Sequence, residues 1–416
     1  MEEKTVVQLE NQAQAVVSSV LEQVLREGAQ RLLQQAIEEE VSAYIRAHQD
    51  VRGEDGRRLV VRNGWRAPRK IQTGMGPLQV EQPRVHDGRR GAKFSSRILP
   101  LYLRRAPSLD ALIPALYLHG LSTGDFAEAL SAILGPQAAG LSPANIVRLK
   151  EGWEQDYREW QQRDLSGKRY VYWWADGVYF NVRLSEERPC VLVLMGSLED
   201  GTKELIAVVA GQRESKLSWQ ALLVELKRRG LNFAPKLAVA DGGLGFWAAL
   251  AEEFAQVQDQ RCWVHKTANV LDKMPRSLQP EAKQQLHQMY LSPGRAGALE
   301  EYERFLKLYD AKYPKACECL RQDKDALFRF YDYPAEHWVH LRTTNPIEST
   351  FATIRHRTRQ TKGGGSVNAT LAMVFQLARV AEKHWRRLKG YGLLSRVIAG
   401  VKFVDGVEVD PKAKAA

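Results

Sequence analysis

Hydrophobic and polar positions alternate along this chain in three different rhythms. From residue 13 to 48 apolar side chains return at helical spacing, through Val17, Val20, Leu21, Val24, Leu25, Leu32, Leu33, Ile37, Val41 and Ile45. Gly28 is expected to break that helix in two. A helix so long either pairs with a second copy of the chain or packs within its own. Helical spacing comes back over 108–160 as SLDALIPALYLHG, STGDFAEALSAILG and SPANIVRLKEGWEQDYREW, with Ser122 or Thr123 and then Ser142 as caps and Pro143 at a first helical position. Between these stretches, residues 50–105 are broken by glycine and proline, and RKIQTGMGPLQVEQPRV predicts two short strands around a GMGP turn.

From Lys168 the rhythm shortens. RYVYWWADGVYFNVR, CVLVLMGSLED and KELIAVVAGQ predict three strands, SWQALLVELKRRG a helix with a glycine stop, KLAVADG a strand, GFWAALAEEF a helix and QDQRCWVH another strand. Residues 266–341 then read as helices broken by prolines, and 346–362 and 366–389 as two more helices joined by KGGGS. The order β-β-β-α-β-α-β predicts an α/β fold of RNase H-like type, in which an antiparallel meander feeds parallel strands. The expected organisation is an N-terminal helical region (1–55) suited to dimerisation, a basic β-ribbon (56–105) and a helix-turn-helix-like region (106–165). An RNase H-like catalytic core follows in two parts (166–265 and 342–390), interrupted by a helical insertion domain (266–341), and a mixed tail (391–416) ends the chain.

Charge sharpens this picture. The chain carries a net charge of +11. Residues 57–105 hold thirteen Lys and Arg against only Glu81 and Asp87, so this one segment matches the whole excess. Clustered positive charge suits a polyanion, and an arginine-bearing ribbon can lie along phosphates or enter a groove. Arg62, Arg66, Arg69 and Lys70 are the DNA-contact candidates there, against the plainer reading of a solvated basic face. In the third of the short helices the candidates are Asn145, Arg148 and Lys150, against the reading of a generic three-helix bundle. No run approaches 18 apolar residues and the first residues lack a signal-peptide pattern, so a cytoplasmic protein associated with the nucleoid, without a membrane partner, is expected. Four cysteines in 416 residues do not make a disulfide framework.

The chemistry centres on three acids. Asp176 ends the first strand run, Asp241 ends the fourth, and Glu348 opens a helix whose start is favoured by Pro346 with Thr344 or Asn345 as cap. Strands one and four are neighbours in an RNase H-like sheet, so carboxylates far apart in sequence can converge. Cleaving a phosphodiester at neutral pH needs an activated oxygen nucleophile and a neutralised leaving oxygen, which two Mg²⁺ or Mn²⁺ ions held by carboxylates supply. Around these acids, Cys262-x-x-His265 has the spacing of half a zinc site, with Cys317-x-Cys319 as the other half, or is a buried thiol beside a structural histidine. Arg342, Arg355, Arg357, Arg359 and Lys362 cluster near Glu348 as phosphate contacts, against the reading of a solvated helix face, and Trp263, Trp338 and His337 either stack on an unpaired base or fill the core. KGGGS lacks the spacing of a nucleotide-binding loop, so no nucleotide cofactor is expected.

Several stretches, among them RNGWR, GPLQVEQPR, VADGGLGF, RCWVHKTANVLDKMP, FYDYPAEHWVHLRTTNPIEST and LAMVFQLA, spread from Arg62 to Trp385. By them the chain resembles bacterial insertion-sequence transposases of the Mutator-like family. The resemblance implies a DDE active site at Asp176, Asp241 and Glu348, with Trp173 and Trp174 falling where the family varies. It also implies a supporting role for Cys262 and His265, in which His265 contacts the scissile phosphate or orients a metal-bound water. Further implications are binding to terminal inverted repeats, strand cleavage and transfer through a circular donor intermediate, and a homodimer acting on double-stranded DNA. Two other classes stay open on the residues alone: a DNA-binding regulator needing no intact triad, and a structure-selective nuclease that cuts without joining.

Overall fold

The computed structural model describes residues 2–74, 76–101, 103–104, 106, 143–179, 190–211, 213–360 and 366–409, with side chains described except at 2–19, 143–150, 244, 353 and 355–360. The chain forms two compact units, Met1–Leu149 and Lys150–Ala416.

In the first unit α1 (Glu2–Ala47) is one uninterrupted helix. The expected break at Gly28 is absent: a single glycine costs a helix only about 1 kcal/mol relative to alanine, and good helix formers flank it on both sides. The second half of α1 packs within its own chain, Leu33 and Ile37 meeting Ile71, Val80 and Leu99. The Gln34 side chain also bonds both backbone groups of Glu81. The earlier apolar positions Val20, Leu21, Val24, Leu25 and Leu32 stay exposed. The expected ribbon is the hairpin β2 (Arg69–Thr73) with β3 (Gly76–Val80). A second antiparallel pair frames it, β1 (Val60–Trp65) with β4 (Pro83–Asp87).

The second unit is built on a mixed five-stranded sheet in the order β7-β6-β5-β8-β9. Its strands are β5 (Tyr170–Tyr179), β6 (Cys190–Leu198), β7 (Lys203–Gly211), β8 (Leu237–Ala240) and β9 (Gln258–Arg261). The first three run antiparallel, and β8 and β9 run parallel to β5. Two helices, α3 (Lys216–Arg228) and α4 (Leu244–Glu253), cover one face. There Trp173, Ala175, Leu192 and Leu194 pack against Trp219, Leu223 and Phe246. On the other face Val193, Met195 and Leu205 meet Ile347, Phe351 and Val374. These last belong to α11 (Asn345–Gln360) and α12 (Val367–Glu382). Ahead of the sheet runs α2 (Pro143–Gln161), whose Tyr157 hydroxyl donates to the Val208 carbonyl at 2.6 Å.

Between β9 and α11 the chain is helical: α5 (Trp263–Leu271), α6 (Gln279–Leu291), α7 (Arg295–Tyr309), α8 (Pro314–Arg321), α9 (Lys324–Leu327) and α10 (Trp338–Leu341). The strand expected through QDQRCWVH stops at Arg261, because Cys262 caps α5 and places Trp263 and His265 in its first turn. Nor are the aromatics open to a base: Trp263 and His337 are fully buried and Trp338 is 6% exposed. The Trp338 indole donates to the Tyr333 carbonyl at 2.8 Å, and the Tyr172 hydroxyl lies 2.8 Å from His337 Nδ1. After α13 (Leu394–Ile398) the tail forms a small hairpin, β10 (Phe403–Val404) with β11 (Val407–Glu408). Asp405 and Gly406 turn it with φ of 49° and 79°, the Asp-Gly signature of a tight hairpin. Among the described residues no helix is long and apolar enough to cross a membrane.

Candidate active site

Register builds the centre of the site. Trp173 pairs with Ala238 and Trp174 with Val239 across the parallel β5–β8 pair. Asp176 and Asp241 each lie two residues beyond Trp174 and Val239, so the two aspartates sit at corresponding positions of neighbouring chain segments, in a sheet whose backbones run about 4.8 Å apart. Asp241 follows the last residue of β8 directly, whereas Asp176 is interior to β5, which continues through Tyr179. The expectation that Asp176 ends its strand is therefore corrected: Gly177 to Tyr179 still pair with β6. Each aspartate accepts one nearby amide, Asp176 Oδ1 from Gly177 at 2.9 Å and Asp241 Oδ1 from Gly243 at 2.7 Å.

Glu348 arrives from α11, and a relay of short contacts sets its place. The Cys262 amide donates to the Ala240 carbonyl at 2.8 Å, carrying the edge of the sheet into α5. The Thr344 amide approaches Cys262 Sγ at 3.3 Å, and the Trp263 amide donates to the Arg342 carbonyl at 2.9 Å. These bonds pin segment 342–344 to the start of α5. The Thr344 carbonyl then accepts the Glu348 amide at 3.0 Å, and its hydroxyl donates to Glu348 Oε1 at 2.9 Å.

His265, one turn into α5, faces the same acids, with Nδ1 3.8 Å from Glu348 Oε1. Donor atoms of Cys262, His265 and Glu348 lie within 4.8 Å of one another. Among the described residues that group is completed by Glu348 rather than by Cys317 or Cys319, so no zinc site joins the two cysteine motifs there. Cys317 is buried, and the Cys319 carbonyl accepts the Lys266 ammonium at 2.9 Å.

Electrostatics ties the group together. Burial pushes the Asp176 carboxyl up to about 6, and the negative charges of Asp241 and Glu348 push the same way while His265 pulls it down. His265 is raised to about 9 by its hydrogen bond to Cys262, and by Asp176 and Glu348, against the cost of its burial. A further acid takes part that sequence reasoning overlooked. Glu214, in the link between β7 and α3, is raised to about 7 by burial, then by Asp241 and Asp176. Its setting, GQRESKLSW, is polar and reads as a connector before the Ser215 cap. The signal was an acid placed just past a strand end on the same sheet as Asp176 and Asp241.

Among the described residues no Lys or Arg forms an ion pair with any of these four carboxylates. Hard oxygen donors with no Lys or Arg paired to them, and with only the His265 imidazole beside Glu348, fit a divalent cation such as Mg²⁺ or Mn²⁺, which Asp176, Asp241 and Glu348 would hold.

The sequence matches the family described as Transposase, Mutator family, over residues 1–387. The chain belongs to the Mutator family of transposases. It is 48% identical over 298 residues to the transposase for insertion sequence element IS6120 of Mycolicibacterium smegmatis, covering 72% of this chain and 92% of that one. It is 46% identical over 287 residues to the transposase for insertion sequence element IST2 of Acidithiobacillus ferrooxidans, covering 67% and 95%. A more distant relative, the transposase for insertion sequence element IS406 of Burkholderia multivorans, is 26% identical over 388 residues, covering 92% and 97%.

The other expected contact residues of this family member fall in varied settings. Arg62 lies 4.4 Å over the exposed Trp65 ring, and Lys70 is exposed. Arg69 donates to the Pro100 and Leu103 carbonyls and is held low by burial, so it braces a turn. Arg66 is half-buried. The Arg342 guanidinium covers Phe330 at 4.9 Å and Trp338 at 5.4 Å. Asn145, Arg148, Lys150, Arg355, Arg357 and Arg359 lie on described helices, but their side chains are outside the described residues, as is Lys362 altogether. The two helices expected within 108–140 also lie outside them.

Proposed function

We propose that this chain is a DDE transposase that binds the terminal inverted repeats of an insertion sequence, then cuts and joins DNA strands at Asp176, Asp241 and Glu348. The reading is supported most by register and charge: Asp176 and Asp241 lie on the adjacent strand runs of β5 and β8, and Asp176 feels the negative charges of both Asp241 and Glu348. The strand order 3-2-1-4-5, with β8 and β9 parallel to β5, supports an RNase H-like core. Two divalent ions held there would stabilise both the attacking and the leaving oxygen of an in-line displacement. The chain's own part is to fix the acids. Strand register holds Asp176 beside Asp241, and Thr344 clamps Glu348. His265, with its imidazolium favoured by the surrounding carboxylates, faces the same space and suits contact with a phosphate oxygen.

DNA is held through the basic ribbon, where exposed Lys70 and the Arg62–Trp65 stack present charge and an aromatic face. The second helix-borne set is Asn145, Arg148 and Lys150 at the start of α2. Transfer of the freed 3′-OH to the opposite end of the same element gives a circular donor intermediate. Two copies of the chain hold the two ends, and the exposed stripe Val20, Leu21, Val24 and Leu25 on α1 supports pairing between them. The test is strand transfer from a pre-cleaved end duplex in Mg²⁺ or Mn²⁺. Joining by the wild-type chain, lost in Asp176→Asn, Asp241→Asn and Glu348→Gln with end binding retained, supports the reading. Cutting without joining favours a structure-selective nuclease, and binding without either favours a DNA-binding regulator.

A further inference from the structure

Alternation along β5 sends Asp176 to one face of the sheet and Gly177 to the other. Trp173 and Ala175, on Gly177's side, pack against α3 and α4. Val193, directly across from Asp176 on β6, faces α11, the helix that brings Glu348. The two aspartates stand where β8 ends beside the central strand β5, and Glu214 lies against Gly177, on the side opposite α11.

Three glycines clear the way for it. A Cβ on Gly177 would lie 2.4 Å from Cγ, Cδ and Oε1 of Glu214. One on Gly243 would sit 2.8 Å from Asp241 Oδ1 and 3.6 Å from Glu214 Oε2, so these two oxygens border the same small space. One on Gly245 would meet the Glu214 carbonyl at 2.3 Å. None of these three glycines has the positive φ that would by itself demand the residue. Their lack of a side chain matters because the Glu214 segment packs there. Among the described residues Glu214 has no cationic partner; the Cys190 thiol approaches Oε1 at 4.0 Å.

Building on the metal-dependent reading above, we propose that Glu214 is a fourth metal-holding carboxylate, facing the Asp176–Asp241 pair from the α3 side while Glu348 faces it from the α11 side. A hard divalent cation prefers several carboxylate oxygens around it, and a ligand on each side of the aspartate pair would fix the cations at the end of β8. Glycine after Asp176 and glycines at 243 and 245 then serve the site by admitting this side chain.

The test is Mn²⁺ binding to the full-length chain without DNA, counted by electron paramagnetic resonance of free Mn²⁺ alongside melting temperature in EDTA. Glu214→Gln is expected to weaken Mn²⁺ binding about tenfold or more while melting in EDTA at the wild-type temperature or above, because an unpaired buried charge has been removed. Gly177→Ala should reproduce the loss with Glu214 intact. Wild-type Mn²⁺ affinity in Glu214→Gln, beside a clear loss in Asp241→Asn, overturns the assignment of Glu214 while leaving the aspartate site standing. A loss accompanied by a lower melting temperature in EDTA overturns it in favour of a purely structural role. Absence of Mn²⁺ binding by the wild-type chain overturns both this inference and the reading beneath it.

Discussion

Asp176→Asn is expected to stabilise the metal-free protein, and to do so more strongly as pH rises. The largely buried carboxyl titrates at about 6 in the folded chain against an ordinary value of 3.8, chiefly because burial disfavours its charge. A carboxyl whose folded value lies above its unfolded value contributes stability that is complete below the unfolded value and is lost as pH climbs through the folded one. Each pH unit of separation is worth about 1.36 kcal/mol. Keeping Asp176 ionised therefore costs the folded state about 3 kcal/mol at pH 8, but well under about 1 kcal/mol at pH 4. Asparagine removes that charge, and its carbonyl can still accept the Gly177 amide that Asp176 Oδ1 accepts at 2.9 Å. Urea unfolding in EDTA at pH 4, 6 and 8 reads the difference. The stability gain should grow by about 2 kcal/mol or more across that range. In saturating Mn²⁺ the order reverses, because the wild-type chain gains binding energy that the variant forfeits. A variant that is less stable at pH 8 in EDTA, or whose effect is independent of pH, refutes the picture of a largely buried carboxylate beside Asp241 and Glu348 with only His265 to offset its charge.

Replacing Cys262 with Ala should lower the titration of His265 from about 9 toward its ordinary 6.5, because the sulfur interaction is the largest cause of its elevation; proton NMR of the ring reads this, and an unmoved titration removes the sulfur from the account. Lys266→Met should destabilise the fold by about 2 kcal/mol in urea, since it leaves Asp323, which Lys266 and Arg261 together hold below the usual carboxylate range, with Arg261 alone. A loss under about 1 kcal/mol would show the pair to be solvated. Neutralising Arg62 and Lys70 together should flatten the salt dependence of DNA binding, by about 0.9 in logarithmic slope for each phosphate that is no longer neutralised. Arg69→Ala should instead lower the melting temperature by freeing the turn at Pro100 and Leu103. Equal salt slopes in wild type and the double variant would make the ribbon merely a solvated surface.

Much of the sheet was legible because β5, β6 and β8 carry dense apolar runs that both faces bury, as in Trp173 and Trp174, which point to opposite sides and are both fully buried. The positions of Asp176 and Asp241 followed from those runs. What pattern reading missed has local physical causes. Cys262 to His265 looked like more strand because Cys, Trp and Val favour strands, yet the Trp263 amide is claimed by Arg342 and turns the chain into α5. Gly28 looked like a stop, but no competing bond or steric demand meets it. The terminal hairpin was written into VDGV and passed over because its strands are only two residues long. It is anchored from outside: Asp405 accepts the Arg295 amide at 2.6 Å, and Gly406 packs against Ala335. Glu214 was hidden because its role is visible only once β5 and the start of α4 lie side by side.

The most direct test of the account is strand transfer with a pre-cleaved, labelled end duplex and a target plasmid, comparing the wild-type chain with Asp241→Asn in Mn²⁺ and in EDTA. The account predicts joined product from the wild-type chain in Mn²⁺ alone and none from Asp241→Asn, with both binding the end duplex equally. Joining by Asp241→Asn at the wild-type rate, or joining in EDTA, would contradict it.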